Sequence, residues 1–199
     1  RKALSDGKVA VIAGFQGVST AKEITTMGRG ASDLTASALA QALDADACEI
    51  YTDVTGVFTA DPRIVPQARK LAKVNFDEML EMAGAGSKVL AMRSVEFARN
   101  HDVPLHVRSA FTWEPGTWIT EETPSMEKAI VSAIAHKSDE AKITLAGVAD
   151  NPGVAGTIFT ALADAMINVD TIIQNVSHHG HTDVSFTVPL TELRRAEEV

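Results

Sequence analysis

Thr25 to Leu43 reads TTMGRGASDLTASALAQAL, a glycine-rich loop that turns into an apolar, alanine-rich run. Ala36, Leu39, Ala40 and Leu43 recur at helical spacing and predict one apolar face. Alanine and leucine are strong helix formers, and no proline interrupts them. Ser32 or Asp33 is expected to cap the first turn through its side-chain oxygen. Before the helix, Gly28 and Gly30 permit backbone conformations closed to other residues and let a ligand come close. A helix start carries unpaired N–H groups that suit an anion. Arg29 adds a planar fork for a carboxylate or phosphate, and Asp33 a carboxylate for Mg²⁺ or an ammonium group. On this stretch alone a simple loop cap with an exposed Arg–Asp pair explains the residues better, because short glycine-rich matches are common by chance.

The rest of the chain narrows the choice. It has 199 residues, 45% hydrophobic and 22% charged, which suits one large globular domain or two small ones. Aromatic residues are only 5%, so the cores are expected to be built mainly from Ala, Val, Ile and Leu. The formal charge of -8 argues against a general nucleic-acid or anionic-membrane surface. The single cysteine, Cys48, excludes an internal disulfide framework, and its apolar setting predicts a buried structural thiol. No segment is long and apolar enough to predict a membrane span, and the beginning, RKALSDGK, has no signal-peptide pattern; a cytoplasmic setting is expected. That beginning and the end, LTELRRAEEV, both read as cut helices, which suggests a piece of a longer chain.

Working outward from the opening stretch, KVAVIAGFQG (residues 8–17) predicts a buried strand ending in a loop, and EITTM one arm of a hairpin. ACEIYTDV predicts another strand, and Thr59 to Arg63 an irregular loop. Residues 75–102 predict two short helices broken near Gly84 to Gly86. VPLHVRSAF predicts a strand and PGTWIT an edge strand or turn. Composition shifts at EETPSME, giving an expected division into residues 1–120, a link at 121–128 and a second region at 129–199. In that region AIVSAIAHK, AKITLAGV, INVDTIIQNVS and TDVSFTVP predict strands. DNPGVAGTIFTALADAM predicts a helix capped by Asp150 or Asn151, with Pro152 in its first turn. This is the order of a ferredoxin-like β-α-β-β-α-β unit without its last strand.

VIAGFQG, ITTMGRGASDLTA, CEIYTDVTGVFTADPRIV, FDEMLEMAGAGSKVL and PLHVRS stand in the order found in aspartate kinases, and residues 141–177 resemble the first ACT module of those enzymes. The resemblance covers nearly the whole chain and is nearest to the lysine/threonine-regulated bacterial type. It implies the remainder of an α/β/α amino-acid-kinase domain with a mainly parallel sheet, followed by a ferredoxin-like ACT module. It implies transfer of the γ-phosphoryl of ATP, with Mg²⁺, to the side-chain carboxylate of L-aspartate, a step that leads to lysine, threonine and methionine. Such transfer is mostly positioning and charge neutralisation.

Residue by residue, the resemblance implies that Gly28, Arg29, Gly30 and Ser32 hold aspartate and that Asp33 is catalytic, orienting the substrate amine or a lysine. Thr52, Asp53 and the loop Phe58, Thr59, Ala60, Asp61, Pro62 and Arg63 would hold ATP, with Lys88 at the head of the next helix. Asp150, Asn151, Pro152, Gly153, Val154 and Ala155, then Asn168, Val169 and Asp170, then Gln174, Asn175, Val176 and Ser177, would hold lysine and/or threonine. Homo-oligomers, or pairing with a regulatory chain, would form through ACT modules. Departures from the family pattern are Ala31 for a glycine, Thr55 for an aspartate and Ala110 for a serine, and the family's Lys-[Phe/Tyr]-Gly-Gly-Thr-Ser loop is not among these residues. The piece by itself is therefore expected to be inactive. His178, His179 and His181 predict an exposed turn in place of a metal site, and no metal ligands are assigned. The competing reading is a non-catalytic amino-acid sensor that acts by binding a partner chain.

Overall fold

The computed structural model describes residues 1–121, 131–175 and 179–199. They form two units, Arg1–His136 and Lys137–Val199.

The first unit opens with a short helix α1 (Lys2–Ser5) and an antiparallel hairpin, β1 (Gln16–Val18) with β2 (Ile24–Thr26). Helix α2 (Ala31–Leu43) leads into β3 (Cys48–Thr52). Then come β4 (Lys73–Asn75), α3 (Phe76–Gly84), α4 (Met92–Asn100), β5 (Leu105–Ser109) and β6 (Thr117–Thr120). The sheet order is β3-β5-β6-β4. β3 runs parallel to β5 and β4 parallel to β6, while β5 and β6 are antiparallel.

Strand alternation sorts the two faces. Cys48 and Ile50 of β3, Leu105 and Val107 of β5 and Ile119 of β6 point into one core with Ala40 of α2, Phe76 and Met79 of α3, and Val95 and Ala98 of α4. Full burial of one of the Val, Leu, Ile, Phe or Met side chains contributes about 1.5–3 kcal/mol. Cys48 is buried, as its setting predicts. The other face carries Glu49, whose carboxylate accepts from His106 at 3.0 Å, Arg108 at 3.2 Å and Tyr51 at 2.8 Å, with His106 stacked on Trp118. Helix α3 starts at a reciprocal capping box: the Glu78 N–H donates to Asn75, and the Asn75 N–H donates to Glu78.

Two expectations need correction here. The run at residues 8–15 forms no strand, and Val9 and Val11 are more than nine-tenths exposed. A Val/Ile run becomes a strand only where a neighbouring ladder takes up its backbone groups, and among the described residues none does. PGTWIT is not an edge: β6 lies between β5 and β4, with Thr117 and Ile119 fully buried. The sheet is mainly parallel, as expected: two of its three pairings are parallel, and β6 runs antiparallel beside β5.

The second unit has β7 (Glu140–Ala149), α5 (Val154–Asp164), β8 (Ile172–Gln174), β9 (His181–Pro189) and, after a 3₁₀ turn at Leu190–Glu192, α6 (Leu193–Glu197). Its antiparallel order β7-β9-β8 places the third strand between the first two, as the ferredoxin-like pattern requires. Leu162, Ile167, Phe186, Val188 and Ala196 form the core, backed by Ile143, Leu145 and Ile158. A bulge between Leu145 and Val148 is fixed by the Gly147 N–H, which donates to Asp183 at 2.9 Å.

Here too the residues correct the reading. The described part of AIVSAIAHK, residues 131–137, has no strand; the Ile134 N–H donates instead to the Thr59 carbonyl at 2.8 Å. Of the described part of INVDTIIQNVS, residues 167–175, only Ile172–Gln174 is strand. Residues 122–130 of the expected link, and Val176, Ser177 and His178, lie outside the described residues.

Candidate functional site

A helix that leads back into a parallel strand begins at that strand's carboxyl end. Both α2, before β3, and α4, before β5, therefore start at the same edge of the sheet. That edge is the usual ligand side of an open α/β sheet. The sequence places Gly28 to Asp33 there.

The helix start differs from the expected cap. Gly30 is the N-cap, with φ +78°, and no side chain caps the helix. Asp33 instead turns across to α4, where its carboxylate accepts the Ala91 N–H at 3.4 Å. Half-buried there, Asp33 has its pKa raised by burial, with the Ala91 hydrogen bond opposing the shift. A carboxylate reaching a neighbouring helix start serves that helix rather than its own. Arg29 and Ser32 are exposed, and among the described residues neither side chain makes a hydrogen bond within the chain. Their polar atoms are open to a ligand. Ala31, the departure from the family glycine, is the first residue of α2, buried and without positive φ, so alanine fits there without strain.

The second group follows β3. Thr52 donates to Asp53 at 3.0 Å, and the Thr52 carbonyl accepts the Ala110 N–H at 2.8 Å. Ala110, where the family has a serine, thus contributes backbone. Phe58 bridges to Lys70, and the Thr59 hydroxyl accepts the Arg69 N–H at 3.0 Å. Asp61 closes a turn: its carboxylate accepts from the Arg63 N–H at 2.9 Å and from the Arg63 guanidinium at 2.7 Å. These hydrogen bonds lower the Asp61 pKa to about 2. Asp53 lies near enough to act on the Arg63 charge. Ala60 is half-buried and Pro62 exposed in the same turn. Lys88 is exposed, but it stands in the connection before α4, four positions ahead of Met92, rather than at the helix head.

Sequence reasoning missed the groups that hold these loops. The Thr117 hydroxyl accepts the Val57 N–H at 2.8 Å and donates to the Leu71 carbonyl at 2.6 Å, so it pins both ends of the loop after β3. Lys70 is held by Glu114 and by the Pro115 carbonyl. Ala91 and the buried pair Ser37–Ser94 fix the α2–α4 contact. None carries a local signal, because each partner is distant in sequence.

In the second unit Gly153, with φ +96°, caps α5 in place of Asp150 or Asn151, and Pro152 sits in the turn before the helix. The Asp150 N–H donates to the Gly180 carbonyl, and the Asn151 and Asp150 side chains are exposed. Val154 and Ala155 open the helix, half-buried. Gln174 and Asn175 lie toward this same end of the sheet, where the Asn175 carbonyl accepts from Thr182 at 2.7 Å. Asn168, Val169 and Asp170 lie at the other end. Asp170 accepts from Lys137 at 2.6 Å, and the same ammonium donates to Glu140.

Together these features describe an α/β domain with a glycine-rich helix start at its carboxyl edge, followed by a smaller unit of ferredoxin-like type. A model of the amino acid kinase family matches residues 1–109, and an ACT domain model matches residues 143–199. The chain belongs to the amino acid kinase family. It is 54% identical over its whole length to the aspartokinase of Corynebacterium glutamicum, of which it covers 48%, and 56% identical to the aspartate kinase of Pseudomonas putida, of which it covers 49%. The chain thus spans about half the length of the curated relatives it matches. Among solved structures, E. coli aspartokinase III with lysine and aspartate is 34% identical, with TM-score 0.70, over 89% of this chain and 39% of that one. The same enzyme with aspartate and ADP gives 33% and 0.71, over 88% and 38%. Among the described residues no helix is long and apolar enough to cross a membrane.

Proposed function

We propose that this chain is part of a cytoplasmic aspartate kinase. The full protein transfers the γ-phosphoryl of ATP to the side-chain carboxylate of L-aspartate, under feedback from lysine and/or threonine at the ACT domain. The observation that carries this reading is the whole-chain likeness to aspartokinases, together with an open Arg29 and Ser32 at a helix start on the ligand edge. Arg29 offers the two-pronged geometry that a carboxylate fits, and the free N–H groups of α2 favour the same charge. Asp33, held toward α4, keeps a negative charge beside that anion and suits the ammonium of the amino acid. Asp53, Arg63 and Lys88 fit a nucleotide: two exposed cations for phosphates, and a carboxylate for the Mg²⁺ that accompanies them. Mg²⁺ in such sites needs only one or two protein carboxylates, since phosphates and water complete its shell. When bound, the ion neutralises charge on the transferring phosphoryl group.

Residues 1–109 carry the kinase-family match, which favours an enzyme over a purely sensing chain. The chain spans about half the length of its relatives, so turnover is assigned to the full-length protein. The test is aspartate-dependent ADP release by the full-length protein, with Arg29→Lys as the discriminating variant. Lysine keeps the charge and loses the fork, so KM for aspartate should rise well above any change in KM for ATP. An equal rise in both would refute the carboxylate role of Arg29.

A further inference from the structure

Helices α2 and α4 meet along small residues. A Cβ on Gly30 would stand 2.4 Å from the Ala91 Cβ, and further in, Ser37 meets Ser94. Both serines are fully buried, and their hydroxyls are 2.9 Å apart. The Cys48 thiol of β3 lies beside Ser37. Ser37 stands four residues after Asp33, on the same helix face one turn inward, and Ser94 stands three residues after Ala91. The serine pair is thus the next layer beneath the Asp33–Ala91 contact. That contact is 3.4 Å long, at the outer limit of a hydrogen bond, so a few tenths of an ångström of helix separation would break it.

We propose that Ser37 and Ser94 are positioning residues. Their buried bond sets the spacing of the two helix starts, and that spacing keeps Asp33 over the Ala91 N–H and Gly28 to Asp33 in shape to receive the acceptor substrate. The proposal rests on reading that loop as the acceptor site. Two apolar residues of similar size would fill the same space, but only the paired hydroxyls fix the distance and direction of the approach.

The experiment compares Ser37→Ala, Ser94→Ala and the double variant in the full-length protein. Ser37→Ala leaves the buried Ser94 hydroxyl without its serine partner and should lower the folding equilibrium constant about tenfold; Ser94→Ala should lower it less, because Ser37 keeps the Cys48 thiol as a partner. The double variant leaves no serine hydroxyl unpaired and should regain most of the larger loss. Two readouts separate positioning from packing. Hydrogen exchange at the Ala91 amide should stay faster in the double variant, by about tenfold. Its kcat/KM for aspartate should stay lowered, about fivefold or more, with KM for ATP changed less than about twofold. Normal Ala91 exchange in a double variant of regained stability would overturn the proposal. Faster exchange with unchanged aspartate kinetics would overturn the positioning role. A parent protein with no aspartate-dependent turnover would refute the underlying functional reading and the catalytic half of the proposal with it, while Ala91 exchange decides the spacing half independently.

Discussion

Replacing Gly30 by alanine isolates the contact on which the site depends. Gly30 and Gly28 both have left-handed backbone, with φ +78° and +87°. An alanine at either position incurs the left-handed penalty, about 1–2 kcal/mol. Their surroundings differ. Around Gly28 an added Cβ meets nothing within 4 Å, whereas at Gly30 it meets the Ala91 Cβ at 2.4 Å. Ordinary contact begins near 3.4 Å, so the starts of α2 and α4 must separate by roughly 1 Å. Such overpacking costs about 1–3 kcal/mol more. Gly30→Ala should therefore lose roughly 2–5 kcal/mol and Gly28→Ala only about 1–2. For a chain of this size each kcal/mol shifts Tm by about 2–4 °C, so the variants should melt at clearly different temperatures. Trp113 and Trp118, the chain's two tryptophans, both lie in the first unit, so fluorescence during heating or urea titration reports that unit alone. The same separation should break the Asp33–Ala91 bond and lower aspartate-dependent turnover in the full-length protein. Equal destabilisation by the two variants would refute the close approach of α2 to α4.

Asp33→Asn should stabilise the fold at pH 7. Burial raises the Asp33 pKa, so protonation stabilises the folded state; that contribution is fully present below the usual carboxylate range and lost as pH rises through the folded value. The advantage of the Asp33→Asn variant in urea titrations should accordingly shrink as pH falls toward 3.8, while turnover in the full-length protein stays strongly reduced. Asp61 has the opposite sign: its hydrogen bonds with Arg63 are present above the usual range and lost as pH falls, and its carboxyl carbon should titrate in NMR near pH 2. A midpoint near 3.8 would refute the Asp61–Arg63 turn in solution. Gln174→Ala should relieve inhibition by lysine and threonine several-fold while sparing uninhibited activity, because losing one hydrogen bond costs about 1 kcal/mol and about 1.4 is tenfold in affinity. Unchanged inhibition curves would place the effector elsewhere.

What was legible in the sequence was local. The run through Ala36, Leu39, Ala40 and Leu43 reads as a helix because its propensity and period agree, and it lies in α2, which starts at Ala31, ahead of the Ser32 or Asp33 cap that the sequence suggests. Asp61-Pro62-Arg63 reads as an irregular turn because proline and a short acidic side chain enforce one, and it is one. Distant partners were not legible. Leu43 was expected on the buried face of α2, yet it is exposed, while Ser37 is fully buried because Ser94 waits 57 positions away to satisfy it. Asp33 and Asn151 look like caps, but Gly30 and Gly153 open the helices in left-handed conformation and free those side chains for other partners. Residues 8–15 have the composition of a buried strand, and composition cannot say whether a neighbouring strand is at hand. The same holds for the site: its glycine-rich loop was visible, and the Ala91 amide that holds its carboxylate was not.

The second unit constrains how an effector can be bound. Asp170 is tied to Lys137 and, through its N–H, to the Thr187 carbonyl, and Thr187 is the partner of Lys142 near the start of β7. Asp150 follows the end of β7, where Ala149 faces His181. At about 3.3 Å per residue, the strand between them is roughly 25 Å long. No single amino acid bridges that distance, so Asp150 to Ala155 and Asn168 to Asp170 of one module cannot close on the same ligand molecule. Gln174 and Asn175 lie with the first group, and Asp170 already has its cation in Lys137. If both groups contribute to one effector site, the two must come from different modules, and binding would then be linked to assembly. Effector affinity should in that case rise with protein concentration through the range where the modules associate. Calorimetric titrations of lysine and threonine at several protein concentrations would show it, and concentration-independent affinity would mean that only one of the two groups belongs to the site.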